Sequence, residues 1–174
     1  MSQQNYKSAS ISFDGWGRLL VLIGLGVIVS FPVRLFLTRV RIVKESEAYE
    51  SVSSINQCQQ AYFAEKSLFR TSVKALGIGI KTETKTYQYS LLTTKTATFN
   101  YGVSKQKDLK SYVGGVFVIP ATKVTSNAST NKIMTTSILC KADSAGTIKP
   151  PEPTNQNGKI ACATGTVELT YRYH

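Results

Sequence analysis

An apolar run near the N-terminus constrains this chain more than any other feature. Residues 19–33 carry no charge, and an arginine flanks the run on each side. A bilayer core is crossed by about 20 mainly apolar residues in a helix, and long arginine stems reach from such a helix to the interface. Trp16 suits the headgroup level at one end. Residues 16–37 therefore predict a single membrane-spanning helix.

Two other interpretations of this run remain open. A signal peptide would have a charged start and an apolar run of similar length, but a small-residue cleavage site should follow. The chain instead continues with Pro32 and Arg34. A buried helix of a soluble domain is the second alternative, and it is disfavoured because so small a domain can hardly surround a helix that is apolar on every face.

A second helical pattern follows the apolar run. Residues 40–69 contain neither glycine nor proline, and apolar or long side chains recur there at helical spacing. These are Ala48, Val52, Ile55, Gln59 and Tyr62. One helix is thus expected to run from the membrane into the soluble part, with a kink at Pro32, which has no amide hydrogen to donate. The predicted segments are a leader-like region (1–15), a membrane helix with its juxtamembrane part (16–43) and a soluble domain (44–174).

The soluble domain after the long helix has a strand-like pattern. Residues 71–77 predict a short helix between a hydroxyl cap and a glycine stop. Apolar and polar residues alternate around 87–91, 97–103 and 167–173, and two shorter apolar stretches cover 114–119 and 136–140. We expect an α+β fold in which four or five antiparallel strands cover one face of the long helix, with their polar alternates facing water.

The formal net charge of +11 raises the question of an acidic partner. Lysines with aromatic neighbours form loose clusters at Lys81, Lys85, Lys105, Lys107 and Lys110. Such a surface could bind nucleic acid by releasing counterions. Solvated lysines at strand ends are the favoured interpretation, because no recognised nucleic-acid-binding motif accompanies them.

Two of the three cysteines suggest a compartment. Cys140 and Cys162 enclose a segment with three prolines and little means of ordering itself, so a disulfide there would stabilise the fold and imply an oxidising compartment. Cys58 would remain a free thiol. The positive charges flanking the apolar run slightly favour the opposite orientation, with a cytoplasmic domain.

The order of these features resembles that of type IV pilins, and several stretches narrow the resemblance. They are SEA (46–48), QQAYF (59–63), LGIGIKT (76–82), FNYGV (99–103), KSYVGGVF (110–117), SILC (137–140) and NGKIAC (157–162). Together they are similar to the cyanobacterial type IV pilin-like G/H proteins over roughly residues 44–168. The resemblance implies a pilin-like fold, a disulfide-closed C-terminal loop and a domain on the non-cytoplasmic side of the membrane or in a pilus.

The N-terminal motif departs from this family pattern. The resemblance implies a leader that ends in glycine, cleavage before an aromatic residue or methionine, and a glutamate four residues after the new N-terminus. Cleavage between Gly15 and Trp16 places Leu20 where that glutamate belongs. An alignment that fits Pro32 to the family instead starts the mature chain at Ile11 and puts Gly15 at the glutamate position.

Two non-catalytic functions follow from this departure. The first is a membrane-anchored pilin-like interaction subunit: a minor pilin, a pilus accessory protein or a subunit of another membrane complex. The second is a processed pilin, cut after Gly15, that presents its basic surface for adhesion or DNA binding. Within the membrane helix, Gly24, Gly26 and Ser30 would let a partner helix approach closely, although glycine is also simply tolerated in such helices.

No catalytic pattern is recognisable in the sequence. The single histidine is His174, and neither a phosphate-binding loop nor a dinucleotide fingerprint is present. The cysteines lack the spacing of a zinc site. We therefore expect no enzyme activity, cofactor or metal, and an oligomeric assembly with membrane lipid and other membrane or pilus proteins as partners.

Overall fold

The computed structural model describes the backbone of residues 15–120 and 133–169, and the side chains of residues 36–120 and 133–169. The chain divides into two compact units, Met1–Val40 and Arg41–His174.

A single helix, α1, extends over Gly15–Lys66. It ends where Ser67 adopts a positive φ of 55° and its amide donates to the carbonyl of Phe63 at 2.8 Å. Side chains are described only from residue 36. Most of the predicted membrane span, with the predicted kink at Pro32, precedes that residue. Within the described part of the chain, no helix is both long and apolar enough to cross a membrane.

A 3-10 turn at Lys74–Leu76 follows the helix. The hydroxyl of Ser72, two residues before this turn, accepts from the amide of Ala75 at 3.2 Å. Gly77 ends it in the left-handed conformation, with φ of 71°. The helical turn and the glycine stop confirm the short helical element expected within residues 71–77, whereas its N-cap residue is Val73, which makes no side-chain cap.

Five strands form one antiparallel sheet. They are β1 (Tyr87–Thr93), β2 (Ala97–Ser104), β3 (Lys110–Pro120), β4 (Ile133–Ala145) and β7 (Thr166–Glu168). Their order in the sheet is β1-β2-β3-β4-β7. Together with the packed part of α1, this sheet confirms the predicted α+β architecture. The remainder of the last predicted strand, residues 170–173, lies outside the described residues.

One face of the sheet carries the core that holds the helix. Ala48, Val52 and Ile55 of α1 are fully buried and pack with sheet residues. Those sheet residues include Tyr87, Tyr89, Tyr112 and Leu139. The helical stripe predicted from sequence is therefore the packing face of α1.

The other face of the sheet was expected to meet water, and this expectation is wrong. Val113, Phe117 and Ile138 belong to a second buried core on this face, which is packed by Ile160 and Cys162. Alternate residues of β2 face opposite sides of the sheet. Apolar side chains such as Tyr101 pack in this second core, and Thr98 and Asn100 contact the helix. Both faces of the sheet centre are thus covered, which explains why β3 is buried along most of its length.

The segment between β4 and β7 covers this second face. It contains a small hairpin of β5 (Thr154–Gln156) and β6 (Lys159–Ala161). Asn157 and Gly158 form its turn with φ values of 55° and 91°, as an asparagine-glycine hairpin turn requires. The disulfide between Cys140 and Cys162, with Cα atoms 5.8 Å apart, ties the segment to β4 and confirms the predicted pairing.

Candidate assembly surface

The start of the packed helix is fixed to the sheet through a glutamate. The carboxylate of Glu45 accepts hydrogen bonds from the Lys110 amide at 3.2 Å and the Tyr112 hydroxyl at 3.3 Å. The ammonium of Lys141 lies 3.5 Å from the same carboxylate, whose side chain is 14% exposed. Charge-assisted bonds that are shielded from water are among the stronger polar contacts. Glu45 therefore joins α1 to β3 and β4 at one point.

Two neighbouring contacts extend this attachment. The hydroxyl of Tyr89 donates to Glu47 at 3.2 Å, and the ammonium of Lys44 donates to the side-chain oxygen of Gln106 at 3.0 Å. Burial, with a smaller contribution from the nearby carboxylates, raises the pKa of Tyr89 and of Tyr112 above the ordinary tyrosine value. Both phenols therefore stay protonated and able to donate at physiological pH.

Further along α1, an asparagine pair joins the helix to the middle of the sheet. Asn56 accepts from the Asn100 side-chain amide at 2.8 Å and donates to the Ile138 carbonyl at 3.1 Å. Both asparagines are fully buried. The side chain of Asn56 occupies the space above Gly114, where an added Cβ would lie 2.2 Å from its amide oxygen. A glycine on β3 is therefore required for this docking.

Gln59 fixes the chain that leaves the helix. Its side-chain nitrogen donates to the carbonyl of Arg70 and its oxygen accepts from the Arg70 amide, both at 2.9 Å. The side-chain amide of this fully buried glutamine thus pairs with the N–H and the C=O of Arg70, as the backbone of a neighbouring strand would. The connection to β1 is held against the end of α1 by this contact.

Exposed apolar side chains mark where this unit begins. Ile42 and Val43 are 55% and 69% exposed, one turn before the attachment at Glu45. In the first unit, Phe36 and Leu37 are exposed as well. Within the second unit, Ile42 and Val43 are adjacent, and adjacent exposed apolar residues are more typical of interaction surfaces than single ones.

Three of the five predicted basic residues line one surface groove. Lys81, Lys85 and Lys105 share it with Glu83 and Thr84, and its volume is about 590 Å³. The Lys105 ammonium pairs with Glu83, and this hydrogen bond lowers the pKa of the glutamate below its ordinary value.

The other two basic residues do not line this groove. Lys107 is exposed in the turn between β2 and β3. Lys110 is half-buried as the first residue of β3 and gives its amide to Glu45.

The predicted processing and packing residues cannot be compared with the structure. Gly15, Trp16, Gly24, Gly26, Ser30 and Pro32 lie outside the described side chains. The free thiol of Cys58 is half-buried and lies 3.8 Å from the carbonyl of Leu76. Among the residues with described side chains, no cluster of three or more histidine, cysteine, aspartate or glutamate side chains could hold a metal ion.

Sequence reasoning missed the residues that attach the helix. Glu45, Asn56 and Asn100 were not singled out, because one buried polar residue in a sequence is indistinguishable from a solvated one. The signal that could have found Asn56 is its spacing, four residues after Val52 and three before Gln59, which places it on the predicted packing face of α1.

Comparison with known proteins identifies the family. The model of the type IV pilin-like G and H family matches residues 45–163. Neither a curated protein nor a solved structure matches the chain. The matched segment starts at Glu45, includes the helix attachment and ends just after Cys162 of the disulfide. The chain belongs to the type IV pilin-like G and H family.

Proposed function

We propose that this chain is a membrane-anchored structural subunit that assembles with other membrane or pilus proteins through its N-terminal helix and performs no catalysis. The family it belongs to supports a structural, pilin-like role. The apolar residues 16–37 would provide the anchor, and the residues that follow would carry the domain.

The attachment of α1 to the sheet is the observation that carries this proposal. Within the second unit, Glu45, Asn56 and Gln59 each bond the helix to a different part of the domain. A helix held at three levels cannot slide or rotate against its sheet without breaking buried hydrogen bonds, whose loss is costly. A force or a position imposed on the helix is therefore transmitted to the whole domain, as a structural subunit requires.

The disulfide supports a non-cytoplasmic location for the domain. Disulfides persist in oxidising compartments and are rare in the cytosol. Because Cys140 and Cys162 close a segment that covers an apolar sheet face, the bond protects a core.

Recovery of partner proteins tests the assembly role. We expect Gly26→Leu to reduce the amount of protein that copurifies after gentle solubilisation by several-fold, since a large side chain would prevent close helix approach. Val27→Leu is the matched control, because it changes a neighbouring apolar position without filling a glycine site. Equal recovery from both variants and from the unmodified chain would contradict assembly through this part of the helix.

A further inference from the structure

Lysines gather at the end of the second unit where the chain enters it; Lys44 is half-buried, and Lys81, Lys85, Lys105 and Lys107 are exposed. The ammonium of Lys44, three residues after the unit begins, donates to Gln106 in the turn between β2 and β3. The amide of Lys105 in the same turn donates to the Thr86 carbonyl at 2.9 Å. The start of the packed helix, the β2–β3 turn and the loop before β1 are therefore neighbours.

The charge at this end is an excess of cations. The groove shared by these loops is lined by Lys81, Lys85 and Lys105 against the single carboxylate of Glu83. Glu83 is already paired with Lys105. Lys107 adds another exposed ammonium in the turn, beside the exposed Asp108.

Exposed apolar side chains accompany these lysines. Ile42 and Val43 directly precede Lys44 in α1, and more than half of each side chain is accessible. A surface that combines exposed apolar groups with lysines is typical of proteins that lie at a membrane interface, where the apolar groups enter the headgroup boundary and the cations meet anionic lipid.

We propose that this basic end, formed by Lys44, Lys81, Lys85, Lys105 and Lys107 with Ile42 and Val43, docks onto the anionic headgroups of a lipid bilayer. The proposal rests on the membrane anchor of the proposed function, which would hold this end of the domain near the bilayer. Lipid is favoured over nucleic acid as the source of phosphate for two reasons. The anchored chain enters the unit at this end, and a nucleic-acid backbone offers no partner for the apolar side chains of Ile42 and Val43.

The rate at which each lysine of the intact chain is acetylated tests this docking. The chain is reconstituted into vesicles of phosphatidylcholine alone or of phosphatidylcholine with phosphatidylglycerol, neither of which carries a primary amine that reacts. Flotation of the vesicles first shows whether the chain is bound. An amine-acetylating reagent is then added, and the rate of modification at each lysine is measured by mass spectrometry.

In the anionic vesicles we expect acetylation to slow by at least about threefold at Lys81, Lys85, Lys105 and Lys107. This protection should disappear at about 1 M salt, because charges are then screened within about 3 Å. Lys95 is the internal control. It is exposed in the turn between β1 and β2, at the opposite end of the same two strands, and its rate should not change.

A pair of variants separates docking from general charge effects. The double variant Lys85→Glu/Lys107→Glu should abolish the protection of Lys81 and Lys105, whereas Lys95→Glu should leave it unchanged. Both replaced side chains of the double variant are exposed, so far-UV circular dichroism should match that of the unmodified chain.

The outcomes distinguish this proposal from the proposed function. Flotation with both vesicle types but equal lysine rates in both would overturn the docking and leave the anchor intact. Flotation with anionic vesicles alone, with protected lysines, would support the docking and contradict the anchor. Protection by duplex DNA without protection by anionic vesicles would overturn the docking in favour of nucleic acid, and failure to float with either vesicle would overturn both proposals.

Discussion

The side-chain amide of Asn100 donates to Asn56 across 2.8 Å, and this hydrogen bond joins the middle of the sheet to the helix inside a buried core. Asn56 in turn donates to the carbonyl of Ile138, so that β2, α1 and β4 meet through one side chain. Buried amides tolerate few arrangements, because an unpaired polar group in a core is expensive. We infer that the pair fixes the rotational setting of the helix on the sheet.

Gly114→Ala should destabilise the fold by about 1–3 kcal/mol, the usual cost of overpacking a well-packed core. The added methyl would lie 2.2–2.7 Å from three side-chain atoms of Asn56, so the asparagine would have to leave its hydrogen bonds. The free energy of unfolding in urea measures this effect.

Gly102→Ala is the matched control on the neighbouring strand. There the new methyl would lie 3.0 Å from the side chain of Val52 and 3.3 Å from that of Tyr89, which small shifts can relieve. We expect a loss below about 1 kcal/mol. A Gly114→Ala variant as stable as Gly102→Ala would contradict the docking role of Asn56.

Asn56→Ala should lower the free energy of unfolding by about 2–3 kcal/mol. It removes two hydrogen bonds and leaves the side-chain nitrogen of Asn100 without its acceptor. Combined with Asn100→Ala, the loss should be smaller than the sum of the two single losses. A double-mutant cycle in urea measures the difference, and the expected coupling is about 1 kcal/mol or more. Additive losses would mean that the two side chains act independently.

Cys162→Ser should cost about 3 kcal/mol of stability, as expected for opening a loop of this length. It should also speed cleavage by a broad-specificity protease within residues 146–161, the segment that the disulfide closes. Cys58→Ser is the control, because Cys58 is unpaired, and it should leave the cleavage pattern unchanged. An unaltered pattern in Cys162→Ser would mean that the packing of Ile160 and Pro153 suffices to hold the segment.

Alkaline pH should unfold the domain cooperatively. Burial raises the pKa of Tyr87, Tyr89, Tyr101 and Tyr112 in the folded chain, whereas the unfolded chain keeps the ordinary value of about 10. Protons are therefore held more tightly by the folded state, so its stability is complete below about pH 10 and is lost as the pH rises above that value. These are four of the nine tyrosines, so the change in circular dichroism should coincide with the last step in phenolate absorbance, in which these four ionise.

Tyr112→Phe should make this transition less steep, because one fewer phenol releases its proton on unfolding. Phenolate absorbance that reaches its full value for all nine tyrosines before the circular dichroism changes would contradict the prediction, since it would show the buried tyrosines ionising inside an intact fold.

Much of the fold could be predicted from sequence because its elements carry strong periodic patterns. The helical spacing of Val52 and Ile55 identified the packing face of α1, and the alternation around Tyr101 identified β2. The same alternation misassigned the faces of the sheet, however. A period of two shows that alternate side chains share a face, but it does not show which layer covers that face.

The polar attachment points could not be predicted for a related reason. Glu45 and Asn56 have residue types that are usually solvated, and their partners come from strands distant in the chain. Gly114 likewise has no sequence signal that separates it from Gly115 beside it, although an added Cβ at Gly114 would meet Asn56 and one at Gly115 would meet Pro153. Such pairings become visible once the helix and the sheet are placed together.

We propose above all that residues 16–37 anchor a disulfide-bonded domain in the membrane. We would test it by measuring the intact mass and the free-thiol count of the protein extracted from native membranes that have been washed with alkaline carbonate. We expect the protein to resist the wash and its mass to include residues 1–15. One thiol should react before reduction and three after it. A mass that begins at Trp16 with an added methyl group would identify a processed pilin instead. Protein released by the wash, or three thiols reactive without reduction, would contradict the anchored, non-cytoplasmic subunit.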